Sequence, residues 1–296
     1  MEERVSFTSG ALKIAGVVHK PADQRQGERR PAFLVLHGFG SNKDSHNCKL
    51  PCEFLTDWGY VAMRFDYRGC GESEGEKSRI ICLEQVEDTK AAVTYMASRP
   101  DVDPERIAVI GSSFGAAVAV YTGGVDKRVA AVVSSGGWGN GERKFRGQHA
   151  TPEAWARFTK MLAEGKEHRA KTGKSLMVPR YDIVPIPPEL RGNLAPNSVM
   201  EFPSETAQSM FDFKADDVVG NIAPRPLLLL HSSHDTVTPT EQSLEMFKRA
   251  KHPVDLVLFS DTTHFMFGNE NPRVRHILKD WLDKYFPAKA KVTVTA

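Results

Sequence analysis

Gly111-Ser112-Ser113-Phe114-Gly115 follows the apolar run Ile107-Ala108-Val109-Ile110 and leads into a stretch of small residues, Ala116, Ala117 and Ala119. An apolar run of that length reads as a buried strand, and the alanines read as a helix packed closely behind it. Between them lies G-x-S-x-G, the pattern of a sharp strand-to-helix turn with a serine at its apex. Glycines flank such a turn because neither shoulder has room for a Cβ, while the serine is held in a strained backbone conformation. The five-residue string is weak by itself, and its place after a strand and before a helix gives it weight. Ser113 is therefore the candidate nucleophile.

Outward from this point the chain alternates between strand and helix signals. Before the turn come strands at Phe33–Leu36 and Tyr60–Phe65 and helices at Leu50–Trp58 and Cys82–Ser98. After it come a helix at 114–122 and strands at Val129–Val133, Leu227–Leu230 and Val254–Phe259, closed by a helix at 272–285. Thr238-Pro239-Thr240-Glu241 reads as a helix start, with Thr238 as N-cap and Glu241 closing a capping box. Residues 3–20 alternate around Ser9-Gly10 as an antiparallel hairpin, and 21–30 form a polar connector. The rhythm predicts an α/β fold, with a mostly parallel central sheet covered by helices on both faces. The last residues, 291–296, read as a frayed tail rather than an edge strand.

One interval breaks the rhythm. Residues 137–221 open on a flexible exit, Gly136-Gly137 and Gly139-Asn140-Gly141, continue into a helix after Thr151-Pro152-Glu153, pass through a proline-rich, irregular stretch at 179–203, and end with a short helix at 205–213. They predict a lid inserted into a core built from 1–136 and 222–296. Trp138, Trp155 and Tyr181 are its candidates for lining a substrate pocket, although packing is the default role for any one of its aromatics. Its basic run from Arg143 to Arg180 would suit an anionic substrate or a CoA-like thioester, and suits a solvated helix face equally well.

A serine hydroxyl needs a base, and the base needs a carboxylate to orient it. In this architecture the chain order is serine, acid, histidine. Asp235 follows the strand Leu227–Leu230 and His264 follows the strand Val254–Phe259, so both fall at strand ends where catalytic groups of open sheets gather. Asp261 is a rival acid, awkwardly close to His264 along the loop. His231, His234 and Asp235 are too loosely spaced, and too alone, to predict a metal site. For the oxyanion, the expected donors are the backbone N–H of Phe114 and that of Phe39, in the Gly-rich loop His37-Gly38-Phe39-Gly40. His37 precedes the serine and is expected to brace that loop.

Taken together, HGFG (37–40), FDYRGCGES (65–73), GSSFG (111–115), HDTVTP (234–239) and TTHF (262–265) resemble the α/β-hydrolase superfamily along nearly the whole chain. The hairpin and short lid are similar to the dienelactone-hydrolase, feruloyl-esterase and small S15/S9-peptidase groups. The resemblance implies a serine esterase acting through an acyl-enzyme, with Asp66 and Arg68 structural. An acyltransferase or thioesterase, or a peptidase or amidase, is the alternative use of the same triad. The absence of a propeller puts peptidase activity in doubt.

Bulk properties agree with such an enzyme. The 296 residues are 41% hydrophobic and 26% charged, with a net charge of +2. That balance excludes a strong draw to nucleic acid or anionic membrane. Cys48, Cys52, Cys70 and Cys82 do not form a disulfide framework, and the N-terminus lacks signal-peptide character, so a cytoplasmic protein with reduced thiols is expected. A small acyl substrate is the expected partner; no cofactor or metal is expected, and self-association stays open.

Overall fold

A computed structural model describes residues 1–268 and 271–289. The chain runs β1 (Glu2–Ser9), β2 (Leu12–His19), β3 (Arg30–Leu36), α1 (His46–Asp57), β4 (Val61–Phe65), α2 (Cys82–Ala97), β5 (Val102–Ser112), α3 (Phe114–Val125) and β6 (Val129–Ser135). It continues α4 (Gly141–Gln148), α5 (Pro152–Thr172), β7 (Met177–Pro179), α6 (Arg180–Ile183), β8 (Glu201–Pro203) and α7 (Ser204–Asp212). It closes β9 (Leu227–Ser232), α8 (Glu241–Arg249), β10 (Val254–Phe259) and α9 (Pro272–Tyr285).

Eight strands form one sheet in the order β1-β2-β4-β3-β5-β6-β9-β10. The six from β4 to β10 are parallel, and the β1–β2 hairpin joins β4 antiparallel. Because successive side chains point to opposite faces, β3 sends Phe33 and Val35 one way and Leu34 and Leu36 the other; β9 divides Leu228 and Leu230 from Leu227 and Leu229 in the same manner. The first face packs on α1 and α9, the second on α2, α3 and the segment between β6 and β9. Each fully buried Leu or Phe contributes about 1.5–3 kcal/mol by leaving water. With both faces covered, the central strands need the near-continuous apolar runs they carry.

Several boundaries differ from the sequence expectation for local reasons. β3 starts at Arg30 because Glu28 meets the buried guanidinium at 2.6 Å, so the end of the polar connector enters the sheet. β5 begins at Val102, five residues before the apolar run at Ile107, and accommodates Pro104 in a register shift against β3. The helix after β9 starts at Glu241, and Thr238 supplies no side-chain cap: its hydroxyl is buried without a partner among the described residues. Gly139-Asn140-Gly141 is a helix start, with Asn140 accepting from the Arg143 N–H at 3.0 Å. The proline-rich stretch is bracketed by a small antiparallel pairing of β7 with β8, where Pro179 and Pro203 sit at strand ends and displace no ladder bond in the middle. The tail expected at 291–296 lies outside the described residues.

Candidate active site

The turn after β5 holds Ser113 at φ 57°, ψ −114°, a positive-φ conformation that costs a serine roughly 1–3 kcal/mol. Its surroundings leave no alternative. The Ser113 N–H donates to the Ser135 carbonyl at 2.8 Å, and the Ser113 carbonyl accepts from Ala116 and Ala117. A Cβ on Gly111 would lie 2.2 Å from the Gly115 oxygen, and one on Gly115 would lie 2.4 Å from the Leu36 oxygen. The two glycines thus let α3 fold back against β5 and approach β3. Ser113 stays half-exposed while both neighbours are buried.

Opposite it, the loop after β10 carries His264, 2% exposed, with Nδ1 at 2.7 Å from Asp235 Oδ2. A carboxylate only accepts, so Nδ1 bears the proton and Nε2 keeps its lone pair. The other Asp235 oxygen, Oδ1, accepts from the backbone N–H groups of Val237 and Thr238, each at 2.8 Å. Burial by itself would raise the Asp235 carboxyl; the His264 charge, with hydrogen bonds from His231 and His264, outweighs it and holds the group well below the carboxylate range.

His231 is the partner that sequence reading missed. Its Nε2 donates to the Thr238 carbonyl at 3.0 Å and lies 3.3 Å from Asp235 Oδ2, while Nδ1 meets the Ser243 hydroxyl at 2.7 Å. It is fully buried beneath Asp235, whereas His234 is exposed. Asp261 pairs with Arg273 at 3.2 Å, on the surface. Gly136, read from sequence as part of a flexible exit, lies under the imidazole: at φ +64°, an added Cβ would be 3.3 Å from His264 Cε1 and Nδ1.

Ser113, His264, Gly38 and Phe39 line one cavity with Arg180, Val184, Ile186, Leu194 and Val237. A Cβ on Gly38 would sit 3.8 Å from Ser113 Cβ, so this loop runs past the serine. Phe114 opens α3, where the first N–H groups have no partner within the helix. His37 donates from Nδ1 to the Gly38 carbonyl at 2.9 Å and accepts the Tyr67 N–H at Nε2, 3.2 Å away, which braces the loop. Asp66, fully buried, receives Lys43 N and Nζ and Glu72 N; Arg68 grips Asp88. Both serve the neighbouring loop.

Trp138, Trp155 and Tyr181 are not among the cavity's lining residues. Trp138 is buried behind the elbow against Phe114, ring centres 5.7 Å apart. Trp155 lies under Arg146 and Tyr181 under Arg191. Periodicity places such aromatics on a helix face but does not show which surface that face meets.

Lys144 is a further buried group that the sequence did not single out. It is 2% exposed, over the rings of Phe145 and Trp138, with Nζ on Gln148 Oε1 at 2.8 Å. Burial pushes its ammonium down to about 7, against the opposing pull of Cys82 and Asp235. In the unfolded chain the group titrates near its ordinary value of about 10.4. Between those values the unfolded state binds the proton and the native state does not, so stability falls as pH drops from about 10 to 7, by about 1.4 kcal/mol per unit. Lys144→Met removes this penalty and keeps the volume. Its apparent Tm at pH 7 is expected to rise by about 5 °C, and its Tm to lose the dependence on pH between 7 and 9. An unchanged slope in thermal melts would refute the assignment.

A family model described as "Serine aminopeptidase, S33" matches residues 27–271. The chain belongs to this S33 family of α/β hydrolases. It is 27% identical to the polyketide transferase grgF of Penicillium sp, with 94% of both chains covered. It is 26% identical to the thiohydrolase aneE of Aspergillus aculeatus, over 79% of this chain and 78% of that one. The solved structure of the Penicillium α/β hydrolase GrgF superposes with a TM-score of 0.79 at 24% identity, covering 96% and 99%. As a member of this family the chain is a serine-hydrolase-type enzyme. No described helix is long and apolar enough to cross a membrane.

Proposed function

We propose that the chain is a cytoplasmic, cofactor-independent hydrolase of carboxylic esters that works through an acyl-enzyme on Ser113. The observation that carries this reading is the His264 Nδ1–Asp235 bond of 2.7 Å, which leaves the imidazole's other nitrogen basic in the cavity that Ser113 lines. Ser113 Oγ attacks the ester carbon as its proton passes to His264 Nε2. The carbonyl electron pair moves onto oxygen, held by the N–H groups of Phe39 and Phe114. Collapse breaks the bond to the leaving oxygen, which takes the proton from His264. Water then repeats the sequence and releases the acid and Ser113. Asp235 keeps its negative charge throughout and stabilises the transient imidazolium.

Residues 137–221 act as a lid in this reading. The cavity's free volume of about 40 Å³ is far below the roughly 300 Å³ of a small-molecule pocket. Val184, Ile186, Leu194 and Ala195 of this segment form part of the cavity's wall.

A fluorophosphonate probe tests the nucleophile directly. It should add in one-to-one stoichiometry to the peptide containing Ser113, and block p-nitrophenyl butyrate hydrolysis in proportion. Hydrolysis that survives full labelling, or an adduct elsewhere, defeats the proposal.

A second reading keeps the triad and changes the acceptor. Relatives described as a polyketide transferase and a thiohydrolase favour a thioester donor, or transfer to an alcohol or amine in place of water. Product partition with added alcohols and amines separates transfer from hydrolysis; a peptidase or amidase would cleave anilides at rates comparable to esters.

A further inference from the structure

The charge in the Ser113 cavity is one-sided. Among the described residues, its lining holds one permanently charged side chain, Arg180, and no carboxylate. Arg180 is 3% exposed, and its Nε is buried with no hydrogen-bond partner among the described residues. Burial draws the guanidinium down to about 10, with only the modest opposing influence of Tyr181 and Cys70, so it is still a cation at neutral pH. Burying a cation without an ionised partner is costly, and here two carbonyl dipoles and the ring faces of Phe39 and Phe202 are what hold it.

The position of this cation is specific. Nη2 donates to the Phe39 carbonyl, and Nη1 donates to the Val199 carbonyl at 2.8 Å. The Val199 N–H in turn donates to the Gly40 carbonyl at 2.8 Å. The Phe39 and Phe202 rings stack at 4.2 Å, with the guanidinium 5.2 Å from the Phe39 ring centre. Gly40, at φ +54°, makes this possible, since a Cβ there would lie 2.4 Å from the Phe202 ring and 2.8 Å from Arg180 Nη1. The segment between β6 and β9 and the loop at 38–40 are thus locked together through one guanidinium.

We infer that Arg180 is a positioning residue of the oxyanion site, fixing the Phe39 backbone and gaining its missing counter-charge when the tetrahedral oxyanion forms. The inference rests on the Ser113 mechanism proposed above. The neutral ester brings little charge to Arg180, whereas the intermediate brings a full one into a water-poor cavity. An interaction stronger in the transition state than in the ground state raises kcat and leaves KM nearly unchanged.

The test compares wild type, Arg180→Met and Arg180→Lys on p-nitrophenyl butyrate and on the mono-p-nitrophenyl ester of succinate. Arg180→Met should lower kcat about 100-fold on both esters with KM within threefold, as loss of an oxyanion donor does. Affinity for a trifluoromethyl ketone, which forms an anionic tetrahedral adduct, should fall in parallel. Arg180→Lys keeps the charge but not the two-carbonyl fork, and should recover about a tenth of the wild-type rate. Should the Met variant not fold, the Lys variant decides alone, and wild-type kcat there overturns the inference. So does unchanged kcat in Arg180→Met, or a loss seen only as raised KM for the succinate ester, which would make Arg180 a binder of substrate carboxylate. Fluorophosphonate labelling of wild type separates the two levels. No adduct at Ser113 removes the underlying mechanism, while normal labelling with an indifferent Arg180→Met removes this inference alone.

Discussion

Ser113→Ala is expected to lower kcat/KM for p-nitrophenyl butyrate by about 10⁴-fold or more, leaving only what the cavity and its oxyanion donors do for direct attack by water. The size follows from the chemistry that alanine removes. Without Oγ there is no acyl-enzyme, and His264 can only activate a water that no covalent bond has placed. Folding should not confuse the result, because alanine meets the same φ of 57° and the same backbone bonds to Ser135, Ala116 and Ala117. Tm should therefore stay within about a degree of wild type. Ser113→Gly provides the contrasting control: it is equally inactive but relieves the positive φ, and its Tm should be higher than that of Ser113→Ala. More than a hundredth of wild-type activity in either variant, measured with the protein freed of contaminating esterases, would refute the nucleophile assignment.

The sheet is legible because its central strands are buried on both faces and their apolar runs are bounded by polar turns. The elbow was legible because its steric demand is local: Gly111 and Gly115 answer contacts made within a few residues and with the adjacent strand. What the sequence could not disclose depended on partners far along the chain. Arg180 meets Phe39 across 141 residues, and no local pattern marks it as other than one more basic residue in a basic stretch. Gly136 carried a faint signal, a glycine doublet directly after a strand, but its meaning depends on His264 arriving from another loop. His231 stands four residues before Asp235, and residue type and spacing alone raise it only as a metal ligand. Its tautomer, fixed by the Thr238 carbonyl and Ser243 hydroxyl, shows it instead to be a donor beneath the carboxylate. The aromatics at 138, 155 and 181 show the converse: residue type suggests contact with substrate, but it does not disclose that the rings pack against Phe114, Arg146 and Arg191.

Asp235→Asn should cost about 10³–10⁴-fold in kcat near neutral pH, and the reason lies in which way the amide must turn. At wild-type Asp235, Oδ1 accepts two backbone N–H groups, from Val237 and Thr238. An asparagine placed there must present its oxygen to those donors, since its NH₂ would leave both unsatisfied in a buried site. The NH₂ then occupies the Oδ2 position and faces His264 Nδ1. A donor facing that nitrogen forces the proton of His264 onto Nε2, so the lone pair that should receive the Ser113 proton is gone. His231 sharpens the conflict, because its Nε2–H already points toward the same position while donating to Thr238. The imidazolium also loses the charge that stabilises it. Two measurements distinguish this account from simple unfolding. The downfield Nδ1–H resonance of His264 in wild type should vanish in the variant. The stability difference should also follow pH in a definite sense. The Asp235 carboxyl is held below its unfolded value of about 3.9, so its contribution is fully present above that pH and is lost as pH falls through the folded value. Wild type should therefore exceed Asp235→Asn in Tm at pH 7, with the gap narrowing below about pH 4, where the unfolded carboxyl takes up its proton and the native one does not yet, and closing as pH falls through the lower folded value. A variant that keeps both the resonance and the rate would show that His264 draws its orientation from somewhere other than Asp235.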